Sequence, residues 1–320
     1  MKLITLYKKY GVLFILLALA VFFSFAAPMF FSVTNLFNIS KQVAIMAILS
    51  VGMTFVLLTG GIELSMGSVI SIGVVLISKM VTEANLPVAV SMLAAVATAT
   101  VLGFIDGLII AKIKVPPLII TLGMQIFLYG FTYTICNGQP VYGIPVSLKW
   151  IGQTYVLGII PVSAILMLIV ILIGHFILTK TYLGRYFYAI GSNEETAKLS
   201  GINADKIRIL AYTFCGCLVG IASIVMLGRI GSGQPSAGDG YEMDVLTGCV
   251  LGGVSLNGGK GNVGKAFAGI LVIGVLSNGM ALMGLDSFAQ KMVKGVVLML
   301  AVILDSLQFI EIRKKVKVVS

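Results

Sequence analysis

Three carboxylates lie inside stretches of the chain that are otherwise apolar: Glu63, Asp106 and Asp305. A carboxylate at membrane depth is costly, and by default it is a candidate for a functional role. Glu63 belongs to Gly60–Gly67 (GGIELSMG), which interrupts a hydrophobic pattern. Non-helical backbone at that depth is tolerated only when it is buried in protein or lines a wet cavity. The alternative is a tight cytoplasmic turn with Glu63 in water, and the sequence leaves both open.

The other two carboxylates have the same ambiguity. Asp106 lies one or two helical turns before Lys112 and Lys114, so it is either an interfacial ion-pair partner or a pathway residue. Asp305 has Arg313 nearby and the same two interpretations.

Other chemistry is not indicated. The single histidine, the absence of G-x-S-x-G and four cysteines without CxxC argue against a hydrolase, a zinc site and a disulfide framework. Gly252–Gly261 (GGVSLNGGKG) departs from the Walker pattern, because Val254 replaces its first glycine and Gly261 follows the lysine. We therefore expect no catalytic residue, no metal and no cofactor on this chain, and any nucleotide must be bound by another subunit.

The composition indicates what holds these residues in place. Of 320 residues, 58% are hydrophobic and only 11% are charged, and the mean hydropathy is +1.08. Soluble domains carry about 25% charged residues. The chain is therefore predicted to be an all-α, polytopic membrane bundle with a single domain, residues 1–320. Its 22 basic residues cluster at the ends of apolar runs, which indicates membrane topology rather than binding to nucleic acid.

About ten runs are long enough to be membrane spans, with eight to ten as the range. The runs near residues 67–82 and 243–257 are short and rich in Gly or Ser. The first run resembles a signal peptide but continues further, so we expect an uncleaved helix. The predicted spans are 11–31, 42–59, 67–82, 88–111, 117–135, 158–178, 207–228, 243–257, 264–283 and 288–309.

The basic residues predict which loops face the cytoplasm. With both termini inside, only six of the 22 Lys and Arg lie outside or at the outer interface: Lys41, Lys79, Lys149, Arg229, Lys291 and Lys294. The remaining sixteen are inside, as the positive-inside rule requires. The polar loop 179–206 is then cytoplasmic.

That loop contains a predicted short helix. Ser192 and Glu195 fit an S-x-x-E capping box, which starts a helix of about eight residues near Asn193. Gly201 is placed to end it in a left-handed conformation, and Glu194 and Lys198 form an i,i+4 pair. Because so short a helix is unstable alone in water, it needs a surface to lie against.

The outer loop 229–242 (RIGSGQPSAGDGYE) is polar and rich in Gly. It is either a solvated connector or a docking surface for a soluble partner. In the second case the candidates are Arg229, Asp239 and Glu242.

With these motifs in this order, the chain resembles the membrane permeases of bacterial ABC importers for ribose and related monosaccharides. The resemblance covers nearly the whole length. It rests on residues 35–39 (NLFNI), 52–54 (GMT), 60–68 (GGIELSMGS), 183–186 (LGRY), 199–203 (LSGIN), 240–244 (GYEMD), 252–261 (GGVSLNGGKG), 278–279 (NG) and 293–297 (VKGVV).

The resemblance implies a multi-pass protein of the bacterial inner membrane. It implies a second permease copy, most simply a homodimer, and a cytoplasmic ATPase that binds ATP and Mg. It also implies an extracytoplasmic sugar-binding protein. The segment that couples to the ATPase would include Gly184, Arg185, Ser192, Asn193, Glu194, Glu195, Ala197 and Gly201. The translocation pathway would include Gly60, Gly61, Glu63, Ser65, Asp106 and Asn278.

The chain departs from the family pattern at three places. The coupling pattern Glu-x-Ala-x-x-x-Gly is present, but its downstream Ile-x-Leu-Pro is missing. Glu63 stands where Asp is usual, and Asp106 where an amide or small residue is usual. The rival function is an ion-coupled secondary sugar transporter that would use Glu63, Asp106 and Asp305 as coupling carboxylates.

Overall fold

A computed structural model describes the backbone of residues 2–156 and 158–319, and the side chains of residues 11–156, 158–303 and 305–306. Over these residues the protein is an all-α bundle with one two-stranded hairpin. The helices are α1 (Lys2–Ala26), α2 (Val33–Leu58), α3 (Met66–Thr82), α4 (Val88–Ile113), α5 (Pro117–Ile135), α6 (Val146–Gln153), α7 (Val162–Lys180), α8 (Tyr182–Ser192), α9 (Glu194–Leu199), α10 (Ala204–Ile230), α11 (Tyr241–Leu251), α12 (Val263–Leu282) and α13 (Ser287–Val319). The antiparallel hairpin joins β1 (Tyr155–Val156) to β2 (Ile160–Pro161).

Helix α2 is the centre of the bundle. It is apolar on all sides, and every residue from Val43 to Leu58 is buried. Helices α7, α10, α11 and α12 pack around it. A helix that is hydrophobic all round belongs in such a position.

Glycines allow α4 and α10 to lie in close contact. Gly103 and Gly107 of α4 face α10, whereas Gly216 and Gly220 of α10 face Ala99 and Val96 of α4. Small residues four apart let two helix backbones approach, as in many membrane bundles.

Six of the described helices are long and apolar enough to cross a membrane: α2, α4, α5, α7, α10 and α12. Helix α3 has 17 residues, and the described apolar part of α1 is also short. Helix α11 has 11 residues and spans about 16 Å. The predicted helical run 243–257 is therefore wrong as a complete span, because its second part forms turns.

Loop contacts sort into two ends of the bundle. At one end, Gly259 N–H donates to the carbonyl of Leu58 (3.0 Å), and Lys112 pairs with Asp205 (3.4 Å). At the other end, Val141 and Gly233 form a β-bridge. Each of these contacts joins segments that are predicted to lie on the same side of the membrane.

Candidate functional site

Helix α9 is the predicted short helix in the 179–206 loop, and it has six residues instead of eight. The predicted capping box is wrong. Ser192 is the last residue of α8, and the side chain of Asn193 caps α9 by accepting a hydrogen bond from the N–H of Thr196 (2.9 Å). Asn is as good an N-cap residue as Ser, and α8 extends far enough to take Ser192 into its last turn.

The end of α9 is as predicted. Gly201 has a φ of +82°, in the left-handed region. Its N–H donates to the carbonyl of Lys198 (2.9 Å), and the N–H of Ile202 donates to that of Ala197 (3.1 Å). This is a Schellman motif, which satisfies the last carbonyls of the helix.

An ion pair on each side of Glu194 fixes α9 in place. The predicted pair with Lys198 is confirmed at 2.6 Å, and Arg208 of α10 binds the other carboxylate oxygen at 2.6 Å. The hydrogen bonds from Lys198 and Arg208 lower the pKa of Glu194 to about 2. The carboxylate is therefore ionised throughout the physiological range and ties α9 to the start of α10.

The outward side of α9 is exposed. Ala197 alone is buried within the helix, whereas Leu199 is 90% exposed. Glu195 and Thr196 are exposed beside it. A large apolar side chain on a polar, well-capped helix is suited to insertion into a pocket of a partner.

Helix α8 connects α9 to the membrane helices. Its buried face includes Phe187, which stacks on Phe55 of α2 with 5.5 Å between ring centroids. Gly184 packs against the last carbonyls of α7, and Arg185 is exposed. The hydroxyl of Tyr188 donates to the carbonyl of Gly261 (2.7 Å).

A junction of glycines lies between α8 and α9. A side chain at Gly191 would collide with the carbonyl of Leu58 and the backbone nitrogen of Gly259. Gly259 in turn contacts Ser192, the residue before the cap of α9. The α8–α9 corner therefore touches both the end of α2 and the 252–261 loop at positions where glycine leaves no room for a further side chain.

The predicted break after α2 is confirmed: residues 60–65 are not helical. Glu63 is buried at 3% exposure, so the alternative of a turn with Glu63 in water is wrong. Its carboxylate accepts hydrogen bonds from the N–H and the hydroxyl of Ser65, both 2.7 Å. Tyr212 of α10 donates to the carbonyl of Ile62 (3.2 Å) and holds the same segment.

Asp106 meets this segment from α4. It has no exposed surface, and its Oδ2 lies 3.4 Å from Ser65 Oγ. The alternative of an interfacial ion pair is wrong, because Lys112 pairs with Asp205 and no ion pair includes Asp106 among the described residues. Gly60 is exposed and left-handed (φ +78°), and Gly61 lies against the hydroxyl end of the Tyr212 side chain.

A second break precedes α11. Most of residues 232–238 are buried, and this segment runs beside α3: Gly233 lies against Ser78, and the N–H of Gly238 donates to Ser71 Oγ (3.0 Å). The interpretation of 229–242 as a solvated connector is therefore wrong for this part. A non-helical segment, most of it turn, therefore precedes the short helix α11 inside the bundle.

The three docking candidates have different surroundings. Asp239 is exposed and pairs with Lys291 (2.9 Å), and Arg229 is partly exposed. Glu242 is buried and accepts a hydrogen bond from Gln125 (2.9 Å), so its carboxylate is not on the outer surface.

Asn278 lies far from the other pathway candidates. It exchanges two side-chain hydrogen bonds with Asn35, 2.9 and 2.8 Å long. Asn35 is near the start of α2, about 35 Å along the helix from Leu58. Asp305 accepts a hydrogen bond from the N–H of Leu256 (3.4 Å), whereas Arg313, its expected partner, lies outside the described side chains.

Sequence reasoning missed Arg208, Leu199 and Tyr212. The only available signals were weak: a cation in the first turns of α10, a leucine in a polar helix, and a tyrosine one turn from Arg208 in an apolar span. The partners of Arg208 and Tyr212 are Glu194 and Ile62, which lie 14 and 150 positions away in the sequence, and no local pattern reports the exposure of Leu199.

Comparison with known proteins identifies relatives over most of the length. Residues 35–302 match the family described as the branched-chain amino acid transport system / permease component. The chain is 44% identical over 296 residues to a ribose import permease protein of Escherichia coli (strain K12), covering 91% of each chain. It is 39% identical to the ribose import permease protein of Bacillus subtilis (strain 168), covering 93% and 92%. It is 32% identical to the galactose/methyl galactoside import permease protein of Escherichia coli (strain K12), covering 96% of each. No solved structure matches the chain.

Proposed function

This chain belongs to the family of the branched-chain amino acid transport system / permease component, and from that membership we propose that it is the membrane subunit of an ABC importer that carries ribose. The assignment of ribose as the substrate rests on sequence identities of 44% and 39% to two proteins named ribose import permeases. The galactose/methyl galactoside permease is less similar, at 32%. A neutral sugar needs hydrogen-bond partners and small-residue walls rather than charges, and the Gly, Ser, Thr and Asn content of the membrane helices suits that.

The chain makes and breaks no bond in this proposal. ATP and Mg bind to the partner ATPase, so this chain holds no cofactor. ATP binding moves α9, and the movement passes to α10 through Glu194–Arg208 and to α2 through the contact of Gly191 with Leu58. The membrane helices then change between outward-open and inward-open states, a two-state element biased from one end.

We propose one domain over residues 1–320 with ten crossings and both termini in the cytoplasm. Segment 231–240 together with α11 would form one crossing. The two sets of loop contacts support this order, since each set lies on one predicted side. Fusions of alkaline phosphatase or a fluorescent protein to each terminus test it. Opposite locations of the two ends would require an odd number of crossings.

Further partners follow from the same assignment. A sugar-binding protein would dock outside near Arg229 and Asp239, which are at least partly exposed. The third candidate, Glu242, is buried and would not contact it. A second copy would complete the pathway as a homodimer, with exposed apolar side chains facing lipid or the other copy.

Reconstitution tests the function. Proteoliposomes with the permease, its ATPase and its binding protein should take up labelled ribose when ATP is supplied, and a catalytically dead ATPase is the control. Uptake driven by a proton or sodium gradient without the ATPase would contradict the proposal. ATP-driven uptake of another sugar in preference to ribose would contradict the substrate only.

A further inference from the structure

The cluster of Glu63, Ser65 and Asp106 has too few hydrogens for its acceptors. Ser65 Oγ lies 2.7 Å from Glu63 Oε1 and 3.4 Å from Asp106 Oδ2. A hydroxyl has one hydrogen to donate, and an ionised carboxylate has none. If both acids were ionised, Ser65 could serve only one of them.

Asp106 is the acid that lacks a partner. Glu63 Oε1 already accepts from the N–H and the hydroxyl of Ser65 at the shorter distance of 2.7 Å. Asp106 Oδ1 is buried and has no hydrogen-bond partner among the described residues. An isolated buried carboxylate costs so much that the group neutralises instead.

No cation compensates the pair. Among the described residues, neither acid forms an ion pair with a Lys or Arg. The other titratable groups that face the cluster are Tyr212 and Cys215 of α10. Arg208, one turn before Tyr212, is held by Glu194.

A small cavity lies beside Glu63. Its volume is about 10 Å³, and Ser65, Gly103 and Cys215 also line it. That is room for about one water. Asp106 does not line this cavity, so a water there would solvate Glu63 and leave Asp106 without a donor.

We propose that Asp106 carries a resident proton in the folded protein and donates it to Ser65 Oγ, while Ser65 donates its own hydrogen to ionised Glu63. Each hydrogen in this chain then has an acceptor, and the cluster carries one negative charge instead of two. Asp106 Oδ1, which accepts no hydrogen bond among the described residues, is then an uncharged carbonyl oxygen. It fastens the non-helical segment 60–65 to α4. The proton stays in place during transport and is not a coupling ion.

Infrared difference spectroscopy on the protein in lipid nanodiscs tests the proton directly. The spectrum of wild type minus Asp106→Asn should show loss of a protonated carboxyl C=O band. Asp205→Asn is the control, because Asp205 pairs with Lys112 and should lose ionised carboxylate bands. Loss of ionised bands in Asp106→Asn would overturn the proposal.

A second variant keeps the test valid if Asp106→Asn does not fold. Ser65→Ala retains both acids but removes the acceptor, so the protonated C=O band should shift to higher frequency. An unmoved band would overturn the proposal.

The resident proton also predicts a pH effect. A proton bound only in the folded state makes stability fall as pH rises, until the folded state loses it. The unfolding midpoint of wild type should fall between about pH 6 and about pH 9 more than that of Asp106→Asn. The two profiles should be the same in sodium and in choline salts. Parallel profiles for the two proteins, or stabilisation by sodium that Asp106→Asn abolishes, would overturn it.

Discussion

Helix α9 and the break at residues 60–65 both place acidic residues at key positions, but they compensate the charge in opposite ways. Glu194 of α9 is 33% exposed and binds two cations. Glu63 and Asp106 are buried, share one serine and have no cation among the described residues. The charge of Glu194 is therefore compensated by cations of the same chain and ties α9 to α10, whereas the break depends on hydrogen bonds whose number and geometry leave little freedom.

The glycine junction connects these two regions, and altering it should have the largest effect. We expect Gly191→Leu to abolish ATP-driven uptake, because the side chain would have to displace the carbonyl of Leu58 and Gly259. Overpacking of this kind costs about 1–3 kcal/mol. Uptake in proteoliposomes is the measurement. Gly130→Leu is the matched control, since nothing lies within 4 Å of its added Cβ. Normal uptake by Gly191→Leu would show that the corner does not transmit movement.

Leu199 comes next in expected effect. Leu199→Asp should weaken binding of the ATPase by at least about tenfold, or about 1.4 kcal/mol, because an exposed apolar anchor is replaced by a charge. Gly201→Pro should act similarly, since proline cannot adopt the φ of +82°. Titration of the ATPase against nanodisc-bound permease gives the affinity. Lys206→Asp is the control for a change of charge, because Lys206 is also exposed and lies nearby. An equal loss of ATPase affinity in Lys206→Asp would show that Leu199 has no special role.

Glu194→Gln should weaken binding of the ATPase less than Leu199→Asp does. We expect a loss of about 0.5–1 kcal/mol in binding free energy, because the Glu194 side chain is partly exposed and solvent screens its ion pairs. Because the folded pKa is lowered to about 2, the stabilisation is present above the ordinary Glu range and is lost as pH falls through about 2. The ratio of wild-type to Glu194→Gln affinity for the ATPase should therefore be constant from about pH 5.5 to about pH 8. A ratio that changes within this window would contradict the assignment of the ion pair. Glu83→Gln removes a comparable pair with Lys79 at the opposite end and should leave the affinity unchanged.

Glu63→Gln should have the smallest effect on transport. Its amide oxygen can still accept from the N–H and hydroxyl of Ser65, and a neutral sugar has no charge to match. We expect ATP-driven uptake to be retained in large part. Complete loss in a folded variant that still binds the ATPase would contradict this and would reopen a titrating role for Glu63.

Local signals in the sequence predict several features of α9 and of the break at residues 60–65. Gly201, the pair Glu194–Lys198 and the break at Gly60–Gly61 each depend on residues within one turn, and all three are confirmed. Two potential caps stand side by side at Ser192 and Asn193, so the choice between them depended on where α8 ends. Helix α8 is amphipathic, and its apolar face is buried by residues distant in sequence, such as Phe55.

The buried region was less predictable for the same reason. Glu63 and Asp106 are 43 positions apart, and their meeting at Ser65 depends on how the glycines of α4 pack on α10. Burial of residues 232–238 along α3 likewise has no local signature in a polar, glycine-rich stretch. These features depend on packing between residues that are far apart in the sequence, and the pattern of a single sequence does not reveal such packing.

Photo-crosslinking from α9 tests most directly whether this helix is the contact with the ATPase. A photoreactive amino acid replaces Leu199 in one variant and Trp150 in another. Trp150 is also exposed but lies on α6, at the other end of the bundle. In membranes that contain the ATPase, we expect a permease–ATPase adduct from position 199 and none from position 150. An adduct from position 150, or none from position 199 in a complex that transports ribose, would contradict it.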